Sequence, residues 1–326
     1  MAMQSGQMSI LEILASSIVK MGPMPEHIAI IMDGNRRYAR RNGLKVLFGH
    51  LKGAETLADV DRFAKALLCK ELTVYAFSSE NFRRNKEEVT NLMNVIEHNC
   101  TKMLQRVDSG TNIDTCIQFI GDWENCPDSL RYRMANLMVK TRNFKPYQLN
   151  VAIVYTGREG ILRSLTSLPV SIKNQENVNL HSHLNPCEWN EYLVEQSQHL
   201  SDMRPVDMLI RTGGDCRLSD FMMWETTQAY IHFTPETWPE FTFWRLLHAI
   251  LMYQVHRRTV PKPVSSKENI SKIEVDALQG ILRNARNERW KRIEQQAMKD
   301  TPYEKIEKVI KYENKFLQVV QNLTIF

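Results

Sequence analysis

Six short apolar runs recur along the chain, at Ile28–Met32, Leu72–Phe77, Ile117–Ile120, Leu149–Tyr155, Val206–Ile210 and Tyr230–Phe233. They are continuous rather than alternating, the pattern of strands buried on both faces. Between them apolar positions return every three to four residues, as in Ala54–Leu68, Val89–Val107 and Leu130–Val139, and this spacing predicts helices. Strand and helix in alternation predict an α/β fold, a mostly parallel six-stranded sheet with helices on both faces. In such sheets the loops at the carboxyl ends of the strands carry the ligands, because helix starts and free backbone donors converge there.

Two segments flank this pattern. Residues 1–22 contain an amphipathic stretch, Met8–Met21, with Ile10, Leu11, Ile13, Leu14, Ile18 and Val19 set against Glu12, Ser16, Ser17 and Lys20. Packing on the body and lying on a membrane surface both fit it. Residues 23–260 hold all six runs and form the predicted main domain. Pro261–Ser266 then reads as a linker, and charged helical stretches around Ile270–Met298 and Tyr303–Leu323 make 261–326 a helical extension. Apolar Ile273, Leu278, Ile281, Leu282, Trp290 and Ile293 leave it either solvated or packed by one face on the body or a partner.

The length of 326 residues, with 43% hydrophobic and 24% charged positions, suits one large globular domain with an appendage. The net charge of +5 favours anionic ligands. It lacks the dense basic face with interleaved aromatics that nucleic acid demands, so no nucleic-acid partner is expected. Six scattered cysteines, at 69, 100, 116, 126, 187 and 216, form no C-x-x-C pair, which argues against zinc and disulfides and for a reducing, cytosolic setting. No apolar run reaches the roughly 18 residues of a spanning helix, and no secretory layout opens the chain, so it is expected to be soluble or peripheral.

Candidate chemistry sits in three loops that follow predicted strands: Asp33-Gly34-Asn35-Arg36-Arg37, Ser78-Ser79-Glu80-Asn81-Phe82-Arg83-Arg84, and Arg211-Thr212-Gly213-Gly214-Asp215-Cys216-Arg217-Leu218-Ser219. Six arginines on one sheet edge make a concentrated positive site, and the planar guanidinium grips phosphate oxygens in pairs. Among them stands Asp33. Magnesium (Mg2+) typically takes one or two carboxylates and completes its shell with water and substrate phosphates, so one aspartate facing a diphosphate suffices. Motifs of the G-x-x-x-x-G-K-[ST], G-x-G-x-x-G, H-E-x-x-H and D-D-x-x-D types are missing.

With these loops assembled, the chain resembles the cis-prenyltransferase family, which includes undecaprenyl and dehydrodolichyl diphosphate synthases, and most resembles the eukaryotic dehydrodolichyl type. The likeness runs from about Pro23 to Trp244 and rests on His27-Ile-Ala-Ile-Ile-Met-Asp-Gly-Asn-Arg-Arg-Tyr38, Gly49-His50 with Gly53, Tyr75-Ala-Phe-Ser-Ser-Glu-Asn81, Gly121-Asp122, Ile210-Arg-Thr-Gly-Gly214, Arg217-Leu-Ser219 and Trp238-Pro239. The resemblance implies that the chain condenses isopentenyl diphosphate units onto farnesyl diphosphate with magnesium. The product would be a long-chain dehydrodolichyl diphosphate for dolichol synthesis and protein glycosylation, made at the cytosolic face of the endoplasmic reticulum. It further implies that Asp33 holds the metal and serves catalysis with Asn81. Gly34, Asn35, Arg36, Arg37, Tyr38, His50, Ser78, Ser79, Glu80, Phe82 and Arg84 would bind the allylic diphosphate; Arg211, Arg217 and Ser219 would bind isopentenyl diphosphate. A neutral amide is a poor base, so Asn81 reads as an orienting group. The helix faces around Leu57–Leu68 and Leu92–Leu104 are either ordinary core or the lining of a product channel.

Departures from the family pattern point to a partner. Tyr230 stands where single-subunit members carry a metal-assisting glutamate, and Arg257-Arg258-Thr259-Val260-Pro261 lacks the glycine of their Arg-x-Gly element. Val46 stands where arginine is frequent, with Lys45 beside it. In the dehydrodolichyl type an inactive, Nogo-B-receptor-like subunit supplies the missing element, so a heterodimer or higher heteromer is expected, with this chain catalytic. The aromatic Trp238–Trp244 segment fits either core or a subunit interface. The alternative is a non-catalytic scaffold of the same fold, which would have no need of a cluster containing Asp33, Arg36, Arg37, Arg84, Arg211 and Arg217.

Overall fold

The computed structural model describes residues 8–111, 114–173, 203–257 and 272–299. Strands β1 (His27–Ile31), β2 (Glu71–Ser78), β3 (Thr115–Ile120), β4 (Tyr147–Tyr155), β5 (Met208–Arg211) and β6 (Tyr230–Phe233) form one parallel sheet in the order β3, β4, β2, β1, β5, β6. All six lie on the predicted runs. Every residue of β1 and β5 is buried, whereas β6 at the sheet edge is only partly covered. The chain leaves central β1 first toward β2 and later toward β5, so the carboxyl ends of these three strands frame a topological switch point.

Eight α-helices are described: α1 (Ile10–Val19), α2 (Asn35–Arg41), α3 (Val46–Ala66), α4 (Lys86–Asp108), α5 (Asp128–Thr141), α6 (Gly157–Lys173), α7 (Phe243–His256) and α8 (Lys272–Ala297). Alternation along β1 divides the core in two. Ile28 and Ile30 join Val60, Phe63, Leu246 and Ile250 in the larger cluster, while Ala29 and Ile31 join Leu209, Phe221 and Met222 in the smaller one.

Helix α1 docks with an unexpected side. A capping box starts it, with Ser9 and Glu12 bonded reciprocally. Ser16 and Val19 face the protein, and Gln254 donates to the Val19 carbonyl at 2.8 Å. Ile10, Leu11, Ile13, Leu14, Ile18 and Met21 are each more than half exposed, so the broad apolar face looks outward. No described helix is long and apolar enough to cross a membrane. The described part of the extension packs on the body: Arg142, which caps α5, stacks over Trp290 at 4.0 Å and lies 3.4 Å from Glu294, while Leu282 and Ile293 are buried. The linker expected at Pro261–Ser266 and the helix expected at Tyr303–Leu323 lie outside the described residues, as do Cys187 and Arg258–Pro261.

At the amino end of the sheet a buried polar seam ties three strands and the Arg204 backbone together. Glu71 accepts from Asn150 Nδ2 (2.7 Å) and from the Arg204 N–H (2.9 Å), and His27 bridges Thr73 and the Arg204 carbonyl. Burial pushes the Glu71 carboxyl up from an ordinary 4.5 to about 7, against the opposing pull of these donors. The folded chain thus holds a proton that the unfolded chain releases near 4.5, and the stability tied to it is lost as pH rises through 7. Urea titrations at pH 5.5 and 8 are expected to give a stability difference that shrinks by about 2 kcal/mol in Glu71→Gln; an unchanged difference would contradict this account.

Candidate functional site

Strand β1 delivers Asp33 beside Arg211, because Ile31 and Arg211 are register partners at the ends of β1 and β5. The Arg211 side chain is only 3% exposed and spends its donors inward, Nη2 to Asp33 Oδ2 at 2.7 Å and Nη1 to the Arg217 carbonyl at 2.5 Å and Ser219 Oγ at 2.7 Å. Thr212 clasps the Asp33 backbone, its Oγ1 accepting from the N–H at 3.0 Å and donating to the carbonyl at 2.8 Å. The Gly34 N–H reaches Asp33 Oδ1 at 2.6 Å, and Arg37 Nη2 stands 3.4 Å away. Burial pushes the Asp33 carboxyl up, but the Arg211 hydrogen bond and charge, the Gly34 N–H and Arg37 outweigh it and hold the group below the usual carboxylate range. The site therefore presents an ionised aspartate at neutral pH.

A second cluster faces it from α2, α3 and α4. Glu88 gathers three basic groups: Arg84 Nη1 at 3.0 Å, His50 Nε2 at 3.6 Å and Arg36 Nε at 3.9 Å. Burial and the Arg84 charge push the His50 pKa down, with Glu88 pulling the other way, so the imidazole is neutral at neutral pH. Burial likewise pulls Arg84 down from its ordinary value. The loop after β2 is shaped by a capping pair in which Ser78 Oγ accepts from the Glu80 N–H at 3.1 Å and Asn81 Oδ1 accepts from the Ser78 N–H at 3.1 Å. With its oxygen committed to backbone, Asn81 offers its amide N–H groups as donors rather than acting as a base.

The two clusters share one cavity of about 1430 Å³ that starts at Asp33 and continues between α3 and α4 over β2, β3 and β4. Its mouth is lined by Asp33, Gly34, Asn35, Arg36, Arg37, His50, Ser78, Glu80, Asn81, Arg84, Arg211, Arg217 and Ser219. Deeper, Leu57, Leu92, Ile96, Met103, Phe119 and Val151 supply apolar wall, interspersed with polar His98, Asn99, Lys102 and Arg106. Three expected residues do not line it: Tyr38 and Ser79 lie outside the lining, and Phe82 packs edge-on against Phe77 at 4.9 Å. Arg83 and Asp215, which stood in the candidate loops without a ligand role, also line it, as does Arg40, which the sequence did not single out; nor did it single out Glu88 as the partner of the basic cluster. Asp215 stands 3.1 Å from Arg217 and 3.6 Å from both Arg37 and Arg211. The arginines are thus interleaved with carboxylates rather than mutually exposed, a pairing invisible when only the cations are counted.

Tyr230 opens β6 opposite Met208, at the other end of its strand from the Asp33 loop, and stacks on His256 at 5.7 Å. It brings no carboxylate to the site. Val46 begins α3, with Lys45 as its extended N-cap residue.

The undecaprenyl diphosphate synthase family model matches residues 31–260. The chain belongs to the cis-prenyltransferase family. Among cis-prenyltransferases it is 35% identical over 259 residues to the human dehydrodolichyl diphosphate synthase complex subunit DHDDS, which covers 79% of this chain and 76% of the relative. A dehydrodolichyl diphosphate synthase complex subunit of Schizosaccharomyces pombe is 33% identical over 250 residues, 76% of this chain and 92% of that one. In three dimensions it is similar to lavandulyl diphosphate synthase from Lavandula x intermedia, solved with dimethylallyl diphosphate, with a TM-score of 0.65 and 29% identity over 71% of this chain and 95% of that one. A prenyl-group transferase with the parallel six-stranded sheet of its family is therefore at hand.

In this cis-prenyltransferase Gly34 is held at φ +103°, and a Cβ there would fall 2.7 Å from Thr237. Gly34→Ala is expected to lower unfolding stability by roughly 1–3 kcal/mol in denaturant titrations; a neutral result would show that the turn can relax.

Proposed function

We propose that this chain is the catalytic subunit of a dehydrodolichyl diphosphate synthase, condensing isopentenyl diphosphate onto farnesyl diphosphate. The observation that carries the reading is the pair of basic clusters flanking an ionised Asp33 at the mouth of a cavity whose deeper wall carries Leu57, Leu92, Ile96, Met103, Phe119 and Val151. A diphosphate pair needs two polyanion subsites, and a growing hydrocarbon needs a dry wall, since each methylene removed from water is worth about 0.8 kcal/mol. A dolichol-type product, made for protein glycosylation, agrees with the two relatives named above.

Arg36, Arg37, His50 and Arg84 hold the allylic diphosphate in this reading, with Asn35 and the Gly34 backbone beside it. Arg211, Arg217 and Ser219 hold the diphosphate of isopentenyl diphosphate. Among the described residues no group of three or more metal-ligating side chains occurs. Asp33, ionised and partly exposed, fits an ion that takes one carboxylate and completes its shell from water and substrate phosphate oxygens. Magnesium, when bound, would neutralise the leaving diphosphate. The arginines draw electron density from the allylic carbon–oxygen bond, whose pair departs with the diphosphate. The homoallylic double bond, held by Arg211 and Arg217 within reach, forms the new carbon–carbon bond. A diphosphate oxygen takes the proton that is lost, while the Asn81 amide orients the groups around it.

An inactive, Nogo-B-receptor-like subunit completes the enzyme in this reading. Trp244, Leu251 and Val255 form an exposed stripe on α7 beside the uncovered edge of β6, and both named relatives are subunits of a complex. Peripheral attachment to the cytosolic face of the endoplasmic reticulum through the outward apolar face of α1 accords with a lipid product.

Labelled isopentenyl diphosphate should enter lipid with farnesyl diphosphate and magnesium when the chain is combined with such a subunit. Full turnover by the chain alone would refute the heteromer. Asp33→Asn is expected to cut turnover by ~100-fold or more while the circular dichroism spectrum stays native; retained turnover would remove Asp33 from the mechanism. Flotation with anionic phospholipid vesicles should be lost in the Leu14→Glu, Ile18→Glu double variant, and equal flotation would exclude α1 as the anchor.

A further inference from the structure

None of the described residues of α6 lines the cavity, yet the loop that carries Arg217 and Ser219 is fastened to the first turn of this helix. The Gly157 N–H donates to the Asp220 carbonyl at 2.7 Å, the Arg158 N–H to Asp220 Oδ1 at 3.0 Å, and Arg158 Nε to Asp220 Oδ2 at 2.8 Å. The first N–H groups of a helix have no partner within it, and the helix dipole favours a carboxylate at that end. Asp220 thus caps α6 from a distant part of the chain. Its side chain is 11% exposed whereas that of Arg158 is 74% exposed, so the backbone bonds carry the contact and the ion pair adds little. The approach is close: a Cβ on Gly157 would lie 3.3 Å from both the Asp220 carbonyl oxygen and Oδ1.

This fastening bears on Ser219. Ser219 and Asp220 are consecutive left-handed residues, with φ +51° and +57°, a conformation that persists only where the surroundings impose it. From the other side Arg211 Nη1 donates to Ser219 Oγ at 2.7 Å and the Tyr75 hydroxyl donates to the Ser219 carbonyl at 3.3 Å. With its oxygen accepting from Arg211, the Ser219 hydroxyl keeps its own hydrogen for the cavity that it lines. Asp220 stands outside that lining. We propose that Asp220 is a positioning residue for isopentenyl diphosphate: by capping α6 it holds the loop so that Ser219 and Arg217 meet the same diphosphate. The inference rests on the prenyl-transfer reading above and adds to it a residue that touches no substrate. A loop released from α6 can leave the left-handed region and carry the Ser219 hydroxyl away, and a misplacement of about 1 Å is enough to cost on the order of 100-fold. The basic cluster around Glu88 stands on other elements, so the effect falls on one substrate.

The test measures KM for isopentenyl diphosphate and KM for farnesyl diphosphate in the complete complex. Asp220→Gly removes the carboxylate and still accepts a positive φ, so it opens the clamp without adding strain. It is expected to raise KM for isopentenyl diphosphate about tenfold while KM for farnesyl diphosphate stays within about twofold. Asp220→Asn tolerates the left-handed region and keeps an oxygen for the Arg158 N–H, and is expected to restore the first value to within about threefold of the unsubstituted one. An unchanged KM for isopentenyl diphosphate in Asp220→Gly, or an equal rise in both values, would overturn the positioning role and leave the prenyl-transfer reading standing. Absence of turnover in the unsubstituted complex would overturn that reading and the inference with it. Should Asp220→Gly fail to fold, Gly157→Ala presses on the clamp from the α6 side, its methyl meeting the two Asp220 oxygens at 3.3 Å. It carries the same expectation with a smaller rise, and a flat result there overturns the positioning role.

Discussion

Asp33 and Arg211 meet at 2.7 Å across the paired ends of β1 and β5, and most of the site is built on that contact. A guanidinium with 3% exposure cannot stand unpaired, and a buried pair of this kind adds little net stability over an apolar one. Its effect is geometric. Arg211 also grips the Arg217 carbonyl and the Ser219 hydroxyl, so the loop after β5 is drawn onto the loop after β1. That loop carries three non-glycine residues in the left-handed region, Ser219, Asp220 and Met222, each costing on the order of 1–3 kcal/mol. Neighbours hold them there: Tyr75 donates to the Ser219 carbonyl and stacks on Phe221 at 4.4 Å, and Asp220 binds the Gly157 N–H and the Arg158 side chain at the start of α6. The strained loop thus follows from a buried cation that had to be satisfied.

Carboxylates set the character of the two basic clusters. Glu88 and Asp215 share six basic side chains between them, Arg36, His50 and Arg84 on one, Arg37, Arg211 and Arg217 on the other. In the proposed reading, anion binding is therefore an exchange of partners. A diphosphate, with more oxygens and more charge than one carboxylate, can satisfy several guanidinium forks at once, whereas a singly charged ligand gains little by displacing what is already present. In that reading, selectivity for polyanions would follow from the carboxylates as much as from the arginines.

The sheet was legible because its strands are buried on both sides and so read as unbroken apolar runs, with β1 and β5 the extreme cases. Helix α3 was only half legible. Its periodicity was recognised from Ala54, whereas the helix begins at Val46, because Gly49, His50 and Gly53 interrupt the apolar pattern. The two glycines have a packing reason: a Cβ at Gly49 would lie 2.2 Å from the Asn35 carbonyl oxygen, and one at Gly53 would lie 2.4 Å from Asn35 Oδ1. Glycine weakens the local helical signal in order to let α2 come close. The basic loop residues stood out by charge, but nothing in the sequence singled out Glu88, and only the folding of α4 beside α2 and α3 reveals it as the hub. The outward apolar face of α1 was equally hidden, since periodicity gives the width of a stripe and not the direction in which it points.

Helix α3 runs from the basic mouth along the cavity wall. Its 21 residues span about 30 Å. His50 near its start belongs to the basic cluster, the stripe from Leu51 to Ala58 walls the cavity, and Asp61 and Lys65 line it further along the helix. Gly49 and Gly53 seat its first turns against α2, while Val60, Phe63 and Ala64 fix its later turns in the main core. A rigid element anchored at both ends holds the basic mouth and the cavity wall in a constant relation, since a packed helix does not stretch. A substitution that shifted α3 along its axis would therefore move the basic cluster and the cavity wall together.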